Sequence, residues 1–354
     1  MITKRYLSLD ILRGITVMLM ILVNHPGSWS HIYAPLRHSA WDGLTPTDLV
    51  FPFFLFCTGV SMAFALSKYE SLDAGALKKI FKRTALLFLT GLTLNACSCG
   101  FRLSWLRVFG VLQRIALCYC LGAVLALTLK KTWRICAAAV VLGVLYTAAL
   151  LAWGEAGAQF TLEGNVSGRL DIALVGEAHV YHGYGIPFDP EGLLGCLTGT
   201  CTVLLGYLIG QTVREGKGGA YRTALRILIS AAACIALSAI LSIWIPVNKP
   251  LWSVSYVLCS GGLAMAVLSA LIAVVDGLGA VRPFEPARWY GCNPLALYVL
   301  AELISICNGR FGIWWSSDAV CTTNFLSLCY AVAVVLLLAV PARILYKKRI
   351  FIKF

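Results

Sequence analysis

Asp48-Leu49-Val50-Phe51-Pro52-Phe53-Phe54-Leu55-Phe56-Cys57-Thr58-Gly59-Val60-Ser61-Met62-Ala63-Phe64-Ala65-Leu66 decides the fold class. Beyond Asp48 the stretch holds no Asp, Glu, Lys or Arg, and it approaches the roughly 20 apolar residues that carry a helix across a bilayer. Runs of the same kind recur along the chain. Ten spans are drawn: Leu7–Val23, Asp48–Leu66, Thr84–Cys97, Val108–Leu129, Ile135–Trp153, Gly192–Gln211, Ile227–Ile245, Leu251–Val275, Trp289–Asn308 and Phe325–Tyr346. The 354 residues are 59% hydrophobic and 13% charged, against about 25% charged in a soluble domain. The expected fold class is all-α: a polytopic membrane helical bundle of about ten transmembrane helices, one unit over residues 1–354. The first run is read as a retained span, because no small-residue cleavage site follows it.

A net charge of +13 raises the question of nucleic acid, but the basic residues alternate with the spans. One set of ends holds Lys4, Arg5, Lys68, Lys78, Lys79, Lys82, Arg83, Lys130, Lys131, Arg134, Arg214, Lys217, Arg222, Arg226, Arg282, Arg288, Arg343, Lys347, Lys348, Arg349 and Lys353. The opposite ends hold Arg37, Arg102, Arg169, Lys249 and Arg310. Basic residues stay on the cytoplasmic side of membrane proteins. Both termini are therefore expected inside, the partner is the lipid bilayer, and no nucleic acid is expected. This orientation puts all five histidines outside, with most tryptophans, among them Trp314 and Trp315. The 14 cysteines lie mostly inside apolar runs, where free cysteine behaves as a small hydrophobe. A disulfide between Cys307 and Cys321, in one outer loop, is left open.

Directly before the stretch at 48–66 stands Arg37-His38-Ser39-Ala40-Trp41-Asp42-Gly43-Leu44-Thr45-Pro46-Thr47. Polar chemistry crowded against the mouth of a span points to a reaction at the membrane surface. His38 is the side chain suited to take a proton near neutral pH. Asn24, which ends the first span, is an amide that orients such a histidine or holds an oxyanion. Asp42 and Asp48 are candidates to align His38 or bind a cation; Thr47 or Asp48 also suits a helix cap. Trp41 offers a stacking face, although outer tryptophans also form interfacial belts. Asp189 and Glu191 open the sixth span, where the helix dipole alone favours carboxylates. Lys249 follows Asn248 at an outer end.

Asp10 and Arg13 share one face of the first span near its inner end, roughly 21 Å from Asn24 at 1.5 Å per residue. Arg114 sits inside an apolar run and needs an acceptor. Asn293 precedes Pro294 within the ninth run. His179 and His182 raise a metal site, but no third ligand is evident in the sequence.

Taken together, SLDILRG, ILVNHPG, LRHSAWDGLTPTDLVFPFFLF, GVLQRIALCY, FDPEGLLG, NKPLWSVSYVL and YGCNPLALY resemble the heparan-α-glucosaminide N-acetyltransferase family and its bacterial relatives. The opening Asp-x-x-Arg-Gly also resembles the wider clan of membrane O-acyltransferases. There a histidine commonly ends the first span, where this chain has Asn24 with His25 beside it.

The resemblance implies an acyl-CoA-dependent N-acetyltransferase with His38 and Asn24 in the catalytic roles. The donor would be cytoplasmic acetyl-CoA and the acceptor a glucosamine-type amino group on the outer side. Trp41, Asp42, Asp48, Asp189, Glu191 and Lys249 are then the acceptor-side candidates, and Asp10, Arg13, Arg114 and Asn293 the CoA-side candidates. No metal is implied; a homodimer and a bacterial inner membrane are. The large luminal N-terminal domain of the animal enzymes is expected to be missing. The acceptor stays open among heparan-derived glucosamine, a cell-wall amino sugar and a hydroxyl. The competing reading is a transporter or flippase of a glycan or small polar solute, against which stands the lack of an inverted repeat.

Overall fold

The computed structural model describes residues 6–311 and 320–352, without the side chains of Arg310 and Phe311. The expectations for Lys4, Arg5, Arg310, Trp314, Trp315 and Lys353 lie outside what it describes. Among the described residues twelve α-helices follow in order: α1 Leu7–Asn24, α2 Val50–Ala65, α3 Ala74–Ser98, α4 Val111–Leu129, α5 Thr132–Trp153 and α6 Val166–Val175, then α7 Cys196–Glu215, α8 Gly219–Leu241, α9 Val254–Leu271, α10 Glu285–Cys292, α11 Pro294–Phe311 and α12 Asn324–Lys347. The all-α membrane bundle is borne out. Among the described residues eight helices are long and apolar enough to cross a membrane, nine if a bent pair is one span. The sequence expectation is about ten.

Two spans account for the difference. α3 is helical from Ala74, ahead of Thr84 and close to Leu77, the alternative start the short third run suggests, but Lys78, Lys79, Lys82, Arg83 and Asn95 dilute its apolar length. The ninth run is broken by 75° between Cys292 and Pro294. Proline lacks an N–H and pushes the residue before it out of the helical region; Asn293 accordingly has φ −133° and ψ 52°.

At the centre α2 packs on α7 through glycines. A Cβ on Gly206 would fall 2.1 Å from the Phe56 carbonyl oxygen, and one on Gly59 2.0 Å from that of Val203. Without a hydrophobic drive between helices in lipid, such close backbone approach supplies the packing energy. Leu55, Phe56, Met62, Val203 and Leu204 are fully buried around this seam. No disulfide joins Cys307, which is exposed, to Cys321, which is buried.

Candidate active site

The end of α1, the start of α2 and the turn before α9 meet at one end of the bundle. The chain reaches α2 through a 3-10 turn at Pro46–Leu49, closed by a capping box in which Thr45 and Asp48 bond each other's backbone N–H. Asp48 therefore caps, as one reading of the sequence held. It also does more. Its Oδ2 accepts from Ser39 N at 3.0 Å and Thr45 N at 3.1 Å, while its Oδ1 lies 2.7 Å from His38 Nδ1. Lys249 Nζ stands 3.3 Å from the same Oδ1 and 2.9 Å from His38 Nδ1.

One ring nitrogen cannot both donate to Asp48 and accept from Lys249. The shorter contact, between a ring N–H and a carboxylate, is the charge-assisted one. It puts the proton on Nδ1 and leaves Nε2 with a free lone pair. Lys249 then donates to Asp48. Burial lowers the Lys249 ammonium below the usual lysine range, against the opposing charges of Asp48 and Glu191.

Lys249 is aimed by a tight turn. Asn248 Oδ1 accepts from Leu251 N at 2.7 Å, and its Nδ2 donates to Asp42 Oδ1 at 2.9 Å. Trp252 completes the turn at φ +55°, the left-handed region a bulky residue enters only when its surroundings hold it. They do: Trp252 is 1% exposed, with its indole N–H on Thr202 Oγ1 and its ring edge-on to Phe51 and Tyr256.

Two cavities meet here. An inner one of about 120 Å³ runs among Met20, Val23, Val50, Phe51, Phe54 and Ile115. An outer one of about 280 Å³ is walled by Arg107, Tyr181, Tyr184 and Trp252. Both are lined by Asn24, His38, Val111, Glu191 and Lys249. An apolar slot thus touches a polar, aromatic one at an amide, an imidazole, a carboxylate and an ammonium.

The other candidates are placed differently. Trp41 supports the outer wall, its indole N–H on the Phe160 carbonyl at 2.8 Å and its ring edge-on to Tyr184 and Phe188. Asp42 is held by Asn248. Asp189 is 1% exposed and saturated: Arg107 Nε and Nη2 donate to it at 2.8 and 2.7 Å, and Tyr181 N and Glu191 N also donate. Arg107 bridges on to Glu191. Burial works against the Arg107 charge, but Asp189 and Glu191 outweigh it and raise the guanidinium above its ordinary range.

Arg114 is buried beneath this end. It donates to the Gly192 carbonyl at 3.1 Å and lies over the Trp252 ring. It is not brought together with Asp10, Arg13 and Asn293. Asp10 and Arg13 pair near the start of α1, and Asn293 is tied to the Ile350 carbonyl and Ile352 N. His179 bonds the Leu106 carbonyl, and among the described residues no group of three His, Cys, Asp or Glu could hold a metal. His25 lines neither cavity and is buried.

Asp171, on α6, shapes the same wall. Its Oδ1 accepts from Leu193 N at 2.9 Å, and a Cβ on Gly192 would fall 1.7 Å from its Oδ2. Burial, reinforced by the Asp189 charge, pushes its carboxyl up to about 7. A carboxylate raised in the folded state contributes stability below its unfolded value and loses that contribution as pH rises through about 7. The wild-type melting temperature in detergent is expected to fall from about pH 5 to about pH 8, as at most about 3 kcal/mol of stability is lost over that range. Asp171→Asn, which mimics the protonated form, should flatten that slope; equal slopes would contradict the assignment.

Arg107, Asp171 and Glu302 were not singled out from sequence. Arg107 directly precedes an apolar run, and Glu302 is a lone carboxylate inside one; the rule that intramembrane charges need partners flags the second.

The fold and this site define an integral membrane protein with a His–carboxylate–Lys cluster where an inner and an outer cavity join. Residues 5–159 match the family model described as heparan-alpha-glucosaminide N-acetyltransferase, catalytic. Over 99% of its length the chain is 30% identical to the heparan-alpha-glucosaminide N-acetyltransferase of Homo sapiens, and over 99% it is 28% identical to that of Mus musculus. It spans 60% of the length of each of these relatives. By these matches the chain is related to the heparan-alpha-glucosaminide N-acetyltransferase family, as its motifs indicated.

Proposed function

We propose that the chain is a transmembrane acetyltransferase that moves acetyl from cytoplasmic acetyl-CoA to the amino group of a glucosamine-type sugar on the outer side. The observation that carries this reading is the meeting of the two cavities at Asn24 and His38. The apolar inner slot suits the pantetheine arm and thioester. The outer slot, with Tyr181, Tyr184 and Trp252, suits the faces of a sugar ring. The distribution of basic residues supports CoA phosphates at the inner end, with both termini inside. Asp10, Arg13 and Asn293 are the candidates for that end. Arg114 instead fits a role in holding the outer wall.

In the reaction the acceptor nitrogen attacks the thioester carbonyl while His38 Nε2 takes its proton. An N–H of Asn24 donates to the oxyanion; the C–S bond breaks, and the protonated His38 returns its proton to the departing sulfur so that CoA leaves as the thiol. His38 Nε2 is equally placed to attack first and carry the acetyl group. Glu191 and Lys249 reach the acceptor side, whereas Asp42, Asp189 and Trp41 act through the walls they hold. The reading extends to a homodimer in a bacterial cytoplasmic membrane, on the family resemblance. Its test is radiolabelled acetyl-CoA and glucosamine with purified protein: N-acetylglucosamine supports it, and no acetyl-CoA binding turns weight to a transporter.

His25 bears on the O-acyltransferase alternative. Both its ring nitrogens are engaged with backbone carbonyls, so it does not offer the free base that reading assigns to the end of the first span.

Lys249→Met removes the ammonium from Asp48 and His38. A hydrogen bond to a charged group contributes about 1.5–3 kcal/mol, so kcat/KM for the amine is expected to drop on the order of ten- to hundredfold. Steady-state kinetics would show it; an unchanged kcat/KM would remove Lys249 from the site.

A further inference from the structure

The outer cavity holds its charges in pairs. Arg107 Nη2 lies 2.7 Å from Asp189 Oδ1 and 2.5 Å from Glu191 Oε2, and Lys249 Nζ lies 3.3 Å from Asp48 Oδ1. One face of the Arg107 guanidinium is covered by the Tyr181 ring, 4.7 Å away. Among the described residues that line the cavity, Arg107 and Lys249 are the only Arg or Lys. Three carboxylates thus answer two cations, and one negative charge is left over beside a neutral His38.

Asp48 and Asp189 are not free to turn away. The backbone N–H groups of Ser39 and Thr45 hold Asp48, and those of Tyr181 and Glu191 hold Asp189. Their side chains are fully buried, so each stays with its cation. Glu191 is the surplus. Asp189 already takes Arg107 in the two-pronged geometry that suits a guanidinium and a carboxylate. The Glu191 side chain keeps 13% of its surface exposed and lines both cavities.

The approach to the cavity repeats this sign. The stretch from 154 to 191 supplies Tyr181, Tyr184 and Glu191 to the wall. It holds Glu155, Glu163, Asp171, Glu177, Asp189 and Glu191 against a single Arg or Lys, Arg169. In a chain of net charge +13, this end is acidic. Such a field draws cations and turns anions away.

At about 280 Å³ the outer cavity is at the small end of ligand sites. A sulfate, phosphate or carboxylate on a sugar bound there stands close to Glu191. It meets no cation whose charge is not already answered. Its own charge adds to the surplus, in a site where like charges repel more strongly than in water. The ammonium of an amino sugar instead supplies the missing positive charge until its proton is taken.

We infer that the acceptor is a sugar with a free amine and no sulfate, phosphate or carboxylate on the reacting ring, and that Glu191 is the residue that excludes those anions. The inference rests on the proposed acetyl transfer and narrows its acceptor.

Purified protein with acetyl-CoA is given glucosamine, its 6-sulfate, and its 6-O-methyl ether, which carries a neutral group at the same oxygen. The KM for the 6-sulfate should exceed that for the methyl ether about tenfold or more. In Glu191→Gln that ratio should fall toward one, because two carboxylates then face two cations. A merely structural loss at Glu191 would raise both KM values together and leave the ratio alone. A 6-sulfate with a KM equal to or below that of the methyl ether overturns the inference, as does an unchanged ratio in Glu191→Gln. If that variant does not fold, the wild-type ratio decides.

Binding separates this inference from the proposed function. Each sugar is titrated into wild-type protein and the thermal shift recorded. Preferred binding of the methyl ether without any acetyl transfer would sink the function and leave the exclusion of anions standing. Acetyl transfer with the sulfate preferred would do the reverse, and binding of none of the three would end both.

Discussion

Purified His38→Ala protein is expected to form N-acetylglucosamine about 10²–10⁴-fold more slowly than wild type, with acetyl-CoA binding kept. His38 reaches the junction of the two cavities but contributes little to the core; its side chain is 49% exposed. Its removal leaves the apolar slot among Met20, Val23, Phe51 and Phe54 intact. The loss should therefore appear in kcat and not in donor affinity, the signature of an interaction made in the transition state. A variant within about tenfold of wild type would contradict general-base and nucleophilic roles alike. Loss of acetyl-CoA binding together with activity would mean that the ring shapes the donor slot instead.

Asp48→Asn is expected to lower kcat by up to about 10⁴-fold, the scale known for a carboxylate that fixes a histidine tautomer. The amide can still cap: its oxygen can accept from Ser39 N and Thr45 N as Oδ2 does in the native chain. Turned that way, it presents an N–H to His38 Nδ1. The ring must then accept at Nδ1, carry its proton on Nε2, and lose the lone pair that faces the acceptor. The cap is kept, so the stability lost is that of the Lys249 ammonium left without its carboxylate, up to about 3–5 kcal/mol for a buried pair, and kcat is compared at a temperature where a thermal melt shows both proteins folded. Near-normal kcat in a folded Asp48→Asn would mean that the 2.7 Å contact of His38 and Asp48 does not set the tautomer.

Much of this arrangement is legible in the chain. The apolar runs announce the helices because every backbone polar group must be satisfied inside the bilayer, and a helix does that within one segment. The segment at 37–48 announces the site, since a histidine and two carboxylates beside a span have a solvation cost that packing alone does not repay. The break at Asn293-Pro294 is local chemistry too, yet its size is not. A proline permits a kink, and the packing of α10 against α1 sets the bend: a Cβ on Gly291 would fall 1.8 Å from the Asp10 carbonyl oxygen.

Which carboxylate does what is not legible. Asp42, Asp48, Asp189 and Glu191 look alike as residues. Asn248 holds the first, His38 the second and Arg107 the last two, across separations in sequence that no pattern of spacing encodes. Arg114 likewise reads as a charge in need of an anion. In the structure it instead faces the Gly192 carbonyl and the Trp252 ring.

By itself, then, the sequence determined an all-helical membrane protein, the alternation of its basic residues with the spans, and the stretch that supplies the candidate site. Those follow from hydropathy and local charge, which each segment carries alone. Only the tertiary structure decided that Lys249 joins His38 and Asp48 and that two cavities touch there. Partnerships between side chains on separate helices depend on helix rotation and depth, and these are set by close contacts such as Gly59 on Val203 and Gly206 on Phe56 that no single segment contains.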